Sequence, residues 1–198
     1  MSKLKHEVLE WVQAILVTLV IFLIYNFFFA TTTVYNTSMY PTLVEKDMLF
    51  MVKMGSIEQG DIVSFKSELT VSKEDYESLS FLQRLIHKEG ERKNLIKRVI
   101  AGPNDTIEIS NGVVTVNGVA LDEPYISTAT NKSIPFETVP EGMFFVMGDN
   151  RSVSYDSRDL GFVKEEDIIG KVVFRFMPLN RSEERRVGKE CRSWWSQY

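Results

Sequence analysis

Three short clusters in this chain carry side chains able to perform acyl transfer. The first is Asn36-Thr-Ser-Met-Tyr-Pro-Thr-Leu43, where Ser38 stands in a run of turn formers before the first apolar strand pattern. A hydroxyl is a weak nucleophile until a base takes its proton. The second cluster, Asn94-Leu-Ile-Lys-Arg-Val-Ile-Ala101, offers Lys97 as that base. An amine serves only when neutral, and burial among branched aliphatics is what neutralises it. Bringing a lysine from about 10.4 to about 7–8 takes roughly 3–5 kcal/mol of desolvation. Read alone, Lys97 is an edge-strand residue whose amine snorkels into water. The third cluster is Gly148-Asp-Asn-Arg-Ser-Val-Ser-Tyr-Asp-Ser-Arg158. Asp149, Asp156, Arg151 and Arg158 can pair within it and stiffen a loop, and Ser154 or Ser157 can offer a hydroxyl to a neighbouring lysine. Read alone, this too is a solvated loop.

Composition narrows the alternatives. The 198 residues are 44% hydrophobic with a net charge of −4, which suits one domain plus an anchor and argues against a nucleic-acid surface. There are two histidines, His6 and His87, and one cysteine, Cys191. No Cys/His metal centre can be assembled from these, no metal or cofactor is expected, and neither histidine is convenient for a Ser-His-Asp triad. Cys191 lies in the stretch 181–198, RSEERRVGKECRSWWSQY, which resembles the conceptual translation of a sequencing adapter and is read as a non-native tail.

The elements that must position the clusters follow from patterning. Trp11–Ala30 contains no charged residue, is long enough to cross a bilayer and ends in the aromatic group Tyr25, Phe27, Phe28, Phe29. Lys3 and Lys5 precede it and the next basic residue is Lys46, so residues 1–10 are expected in the cytoplasm, 11–30 as an uncleaved transmembrane anchor and 31–180 outside. A cleaved signal peptide is the rival reading; no small-x-small pattern closes the apolar run. Strands are expected at the β-prone run Thr31–Tyr35, then Met48–Met54, Ile62–Phe65, Leu95–Ala101, Thr106–Ser110, Val113–Val116, Phe144–Met147 and Lys171–Phe176. Asn111-Gly112 and Asn117-Gly118 signal type I′ hairpins. Residues 67–94 interrupt this pattern. Ser72 and Asp75 resemble a capping box, Tyr76, Leu79, Leu82, Gln83 and Ile86 fall near helical spacing, and Gly90 is a stop, which together predict an inserted amphipathic helix. Short antiparallel strands with few helices suggest a rolled sheet or barrel.

Taken in order behind an N-terminal span, Ser38-Met-Tyr-Pro-Thr, Ile96-Lys97-Arg98-Val99-Ile100 and Gly148-Asp-Asn-Arg-x-x-Ser-x-Asp-Ser-Arg158 resemble the boxes of bacterial type I signal peptidase. Gly60-Asp61-Ile62-Val63 and Leu160-Gly-Phe-Val163 resemble two further segments of that family. The resemblance implies a mainly β fold, with antiparallel sheets forming a signal-peptidase-like catalytic domain, one N-terminal transmembrane helix and a short helical insertion. It implies a membrane-bound serine endopeptidase with Ser38 as nucleophile and Lys97 as general base. Ser154 would orient the lysine amine, and Asp156 and Arg158 would hold the site. The Ser38 N–H would contribute to the oxyanion hole. Asn36 stands where the family commonly has Gly or Ser, and its amide is a candidate oxyanion donor. The implied partners are exported preproteins with small residues before the cleavage site, the lipid bilayer and the secretion translocon, with no nucleic acid. Such a substrate would add a strand to a sheet edge, and Met39, Leu95 and Ile96 are the expected pocket walls.

Two other classes share parts of this pattern. A catalytically inactive assembly or chaperone factor for surface proteins would be expected to have lost Ser38 or Lys97, and both are present. A self-cleaving transcriptional repressor shares the serine–lysine logic but needs an N-terminal helix-turn-helix, where this chain has an apolar span.

Overall fold

The computed structural model describes residues 2–71, 73, 77, 88 and 90–177. It begins with helix α1 (Ser2–Phe28), in which His6–Phe28 has a mean hydropathy of 2.2 and none of its apolar stretch is buried against the rest of the chain. That stretch is long and apolar enough to cross a membrane. Its polar side chains close on the helix's own carbonyls, Thr18 Oγ1 donating to Ala14 O at 2.8 Å and Asn26 Nδ2 to Phe22 O at 2.8 Å. Such i−4 bonds let polar residues sit in an apolar medium without an unpaired donor.

The expected anchor boundary at Ala30 needs correction. The helix stops at Phe28, and Phe29 and Ala30 already belong to strand β1 (Phe29–Thr33), facing Val52 and Met51 of β2 (Met48–Val52). An apolar run reads continuously through the junction because β1 is itself half-buried, so composition could not mark where helix gave way to strand.

The remaining strands are β3 (Ile62–Thr70), β4 (Arg92–Ala101), β5 (Thr106–Ser110), β6 (Val113–Val116), β7 (Val119–Ala120), β8 (Ile134–Thr138), β9 (Met143–Met147), β10 (Val163–Lys164) and β11 (Ile168–Met177). A short helix α2 (Ser157–Leu160) precedes β10. All are antiparallel, in two sheets ordered β1-β2-β11-β3-β4-β9-β10 and β7-β6-β5-β8. The fold is thus mainly β with one N-terminal apolar helix. The larger sheet is open, with β1 and β10 as its ends, rather than a closed barrel. Both Asn-Gly pairs make hairpins with positive φ at each residue (Asn111 50°, Gly112 82°; Asn117 52°, Gly118 78°), the type I′ signature.

The interruption is shorter than the expected 67–94. β3 runs on to Thr70 and β4 starts at Arg92, with Lys66 facing Asn94 and Thr70 facing Arg92. Side chains lace the two arms together: Ser67 Oγ donates to Lys93 O at 2.8 Å, and Arg92 Nε to Ser67 O at 2.8 Å. Polar composition hid these arms, because they are held by ladder and side-chain hydrogen bonds rather than by apolar burial. Of the helix expected from Ser72 to Ile86 only Lys73 and Glu77 are among the described residues, both helical, and the tail 181–198 lies outside them.

Three apolar clusters hold the domain. One joins the two sheets through Ile100 and Ala101 of β4, Phe145 and Met147 of β9, and Ile107, Ile109, Val114 and Val116 of β5 and β6. A second gathers Val34, Met39 and Leu43 of the serine loop with Leu49, Met51, Ile62 and Val172. The third packs Val63, Phe65, Val99, Phe144, Val146 and Val163. The serine loop is therefore nailed to the larger sheet by two fully buried apolar side chains on either side of its turn, Met39 and Leu43.

Candidate active site

Lys97 lies on β4, where it faces Val63 of β3, and the reading of an amine snorkelling into water fails: the residue is 1% exposed, although the pairing with β9 begins only at Arg98. Its Nζ stands 2.7 Å from Ser38 Oγ across 59 residues of sequence. Burial lowers the amine to about 8, the charges of Asp156 and Asp149 oppose that shift, and Arg158 adds to it. An amine so placed is neutral in about a fifth of molecules near physiological pH, against well under a hundredth for an ordinary lysine. A hydroxyl in contact with it can pass its proton across as the oxygen attacks a carbonyl.

The serine loop is built from two sides. Tyr40 N–H donates to Thr37 O at 3.1 Å and Leu43 N–H to Met39 O at 2.8 Å, closing the turn. From the third cluster, Asn150 N–H donates to Ser38 O at 3.0 Å and Asn150 Nδ2 to Thr37 O at 3.1 Å. Thr42 Oγ1 donates to Asp149 Oδ2 at 2.5 Å. Asp149 in turn takes both Nε and Nη2 of Arg98, at 2.8 and 2.7 Å, a bidentate pair with side chains 5% and 0% exposed. Lys97 and Arg98 are thus adjacent residues of β4 with separate tasks: one reaches Ser38, the other fixes the loop that carries it.

Asn36 departs from expectation. Its Oδ1 accepts from both Ser38 Oγ at 2.7 Å and Ser38 N at 3.1 Å, so its side chain faces Ser38 as an acceptor rather than as an oxyanion donor. An Asx turn of this kind satisfies the first donor after a tight bend, and asparagine is suited to it.

Of the two candidate hydroxyls, Ser154 and Ser157, neither makes a hydrogen bond to Lys97. Ser157 Oγ accepts from Val146 N–H at 2.9 Å, holding β9. Ser154 Oγ is buried without a well-formed hydrogen bond and faces the Asp156 carboxylate. Burial would push that carboxyl up, but the hydrogen bonds and charge of Arg158, together with Ser154 and the Gly148 N–H, hold it below the usual range. Arg158 Nε and Nη2 grip Asp156 Oδ1 and Oδ2 at 2.8 Å each.

The expected internal ion pairing of the loop is therefore half right. Asp156 and Arg158 do pair within it, whereas Asp149 reaches Arg98, and Arg151 reaches Glu123 through Nη1 at 2.8 Å and Nη2 at 2.5 Å. Arg158 Nη1 also donates to Thr130 Oγ1 at 2.7 Å, and Arg98 lies 4.0 Å from the centre of the Tyr125 ring. The β7–β8 connection is thereby pinned to the site at three points. Sequence reading missed Thr42, Arg98, Glu123, Tyr125, Thr130 and Asn150. Thr42, Arg98 and Asn150 stood inside the three clusters, but Glu123, Tyr125 and Thr130 carried no local signal.

The expected pocket walls separate. Met39 and Ile96 share the second apolar cluster, and Leu95 packs with the third, as alternation along β4 requires. Met39 is 1% exposed and serves as a support for the loop.

Removing one partner of a buried charge pair leaves the other desolvated and unpaired. Asp149→Ala is accordingly expected to lower unfolding free energy by about 3–5 kcal/mol, read as a lower denaturation midpoint of the full chain in detergent.

With this geometry in view, comparison with known proteins places the chain. The sequence model of the family described as signal peptidase, peptidase S26, matches residues 8–177. Signal peptidase IB of Staphylococcus aureus strain COL is 33% identical over 200 residues, covering 89% of this chain and 93% of its own. A probable signal peptidase I-1 of Synechocystis is 35% identical over 177 residues, covering 87% and 84%. The crystal structure of a signal peptidase I from Enterococcus faecalis V583 is 28% identical, covers 60% of this chain and 97% of its own, and has a TM-score of 0.42. The chain belongs to the signal peptidase family, peptidase S26. Family membership and the unburied apolar α1 together mark it as a membrane-anchored peptidase.

Proposed function

We propose that this chain is a membrane-bound serine endopeptidase that cleaves signal peptides from exported preproteins, with Ser38 as nucleophile and Lys97 as general base. The observation that carries the reading is the 2.7 Å contact between Lys97 Nζ and Ser38 Oγ, with the amine buried and lowered to about 8. Once Lys97 is neutral, the contact reverses direction and the Ser38 hydroxyl donates to it. Oγ attacks the scissile carbonyl, its proton passes to Nζ, and the resulting ammonium protonates the leaving amine. Water then repeats the sequence on the acyl-enzyme, again losing its proton to Lys97.

The Ser38 N–H is the oxyanion donor in this reading. It is engaged by Asn36 Oδ1 at rest, so the asparagine side chain turns aside when the carbonyl enters. The substrate binds extended along β4. On the β9 side, among the described residues, β4 pairs through Arg98, Val99 and Ala101, which leaves the edge at Leu95–Lys97 open for an added strand. Ser154, Asp156 and Arg158 hold the wall behind Lys97. Residues 1–10 lie in the cytoplasm, α1 spans the bilayer and the domain after it lies outside, with Lys3 and Lys5 setting that orientation.

The test compares the full chain in detergent with its Ser38→Ala variant on a preprotein bearing a signal peptide. Release of the mature protein by the wild type, and none by the variant, is the expected result. Equal cleavage by both would remove Ser38 from the reaction.

A further inference from the structure

Among the described residues the site takes no side chain from α1, yet the helix joins the domain without a linker: α1 ends at Phe28 and β1 begins at Phe29. A helix leaves its last carbonyls unpaired, and its C-terminal end favours a cation. α1 has no basic residue in its last turn. The cation comes instead from the domain. Lys53, directly after β2, donates its N–H to Phe28 O at 2.9 Å and its Nζ to Asn26 O at 2.7 Å.

An aromatic series continues the connection into the sheet. Tyr25 in the last turn of α1 lies 5.5 Å from the Phe29 ring, Phe29 lies 5.2 Å from Phe50 of β2, and Phe50 stacks on Phe174 of β11 at 5.0 Å. The helix end is thus tied to β1, β2 and β11, and on the opposite face of β2 from Phe50 the side chains of Leu49 and Met51 belong to the apolar cluster that holds Met39 and Leu43 beside Ser38. None of the apolar stretch of α1 is buried against the domain, so the junction carries the mechanical link between them.

We propose that Lys53 is a positioning residue that clamps the end of α1 to the catalytic domain, fixing the height of Ser38 above the membrane so that distance from the bilayer helps select the bond cut. This rests on the peptidase reading above. A preprotein whose apolar segment occupies the same bilayer presents its cleavable bond at a height set by its own length. A flexible linker would let Ser38 range over roughly 5–6 Å times the square root of its residue count. That range spans several peptide bonds, whereas the clamped junction allows attack at one height.

The experiment uses the full chain in phospholipid vesicles with two substrates: a preprotein inserted in the same vesicles, and a short soluble peptide spanning the same bond. Lys53→Met, and separately two glycines inserted after Phe28, are expected to lower preprotein cleavage about tenfold. Both are expected to spread the cut to neighbouring bonds, read by mass spectrometry, with peptide cleavage unchanged. Lys53→Arg, which can donate to the same carbonyls, is expected to restore rate and position. Preprotein cleavage at the wild-type rate and single bond by both altered forms overturns the clamp. So does an equal fall on both substrates, which would assign Lys53 to the domain's fold. A wild type that cleaves neither substrate overturns the peptidase reading itself, and the clamp with it.

Discussion

Replacing Lys97 with methionine is expected to reduce preprotein cleavage by about 10⁴-fold while leaving the folded chain more stable at neutral pH. Methionine matches the apolar length of the lysine stem but offers no base, so Ser38 keeps its proton. The gain in stability follows from the amine's position. Its folded value of about 8 lies below the ordinary 10.5, so between these values the unfolded chain binds a proton that the folded chain does not. Stability therefore rises with pH across that window, and below it the buried ammonium carries the whole penalty. Each tenfold loss of proton affinity corresponds to about 1.4 kcal/mol, so burial penalises the ammonium by about 3 kcal/mol. Methionine removes that penalty, and a denaturation series on both proteins at pH 7 reads the difference. A variant that is inactive and less stable would place Lys97 in the architecture instead.

In the proposed mechanism the same amine sets the pH profile of the wild type. Activity at low substrate is expected to rise about tenfold per pH unit below about 8 and to level off above it, with the inflection near the value that burial imposes on Lys97. Asp156→Asn removes the neighbouring charge that most strongly raises Lys97, so its inflection should move to lower pH. An unmoved inflection would assign it to another group.

Gly148→Ala is expected to be damaging as well, by a smaller factor, although residue 148 has no side chain to take part in the chemistry. A Cβ there would come within 2.2 Å of Ser154 Oγ and 2.5 Å of Ser38 O. Ser154 could rotate its hydroxyl away but not its Cβ, which would lie 2.6 Å off, and Ser38 O is backbone, held by the Asn150 N–H at 3.0 Å. The serine loop must shift, and a displacement near 1 Å at the nucleophile costs about 10²-fold in rate. Because Gly148 and Ser154 are both buried against the loop, a fall in thermal midpoint should accompany the loss. Wild-type turnover by Gly148→Ala would show that the loop tolerates the shift.

These two residues illustrate what could and could not be read in advance. Ser38, Lys97 and the 148–158 cluster were visible as residue types in order, and the strands carrying them were visible because apolar runs bounded by turn formers fold that way in most contexts. The Asn-Gly hairpins were legible for the same reason, since their conformation is dictated within two residues. Burial of Lys97 was not legible. Identical local sequence would serve on an edge strand, and only the packing of segments distant in the chain around β4, the serine loop among them, puts the amine out of water.

The role of Gly148 was equally hidden, because a close approach between backbone segments far apart in the chain leaves no periodicity. The partners Glu123, Tyr125 and Thr130 were hidden too, lying in an irregular connection whose course is decided by the arginines that hold it. The sequence by itself determined the chemistry available: a hydroxyl, an amine, no convenient histidine, and an apolar helix ahead of them. The tertiary structure alone decided that hydroxyl and amine meet at 2.7 Å, that burial foremost, with the Arg158 charge adding to it, lowers the amine, and that Asn36 faces Ser38 as an acceptor. Contacts and desolvation depend on which strands become neighbours, and that choice is made by the whole core at once.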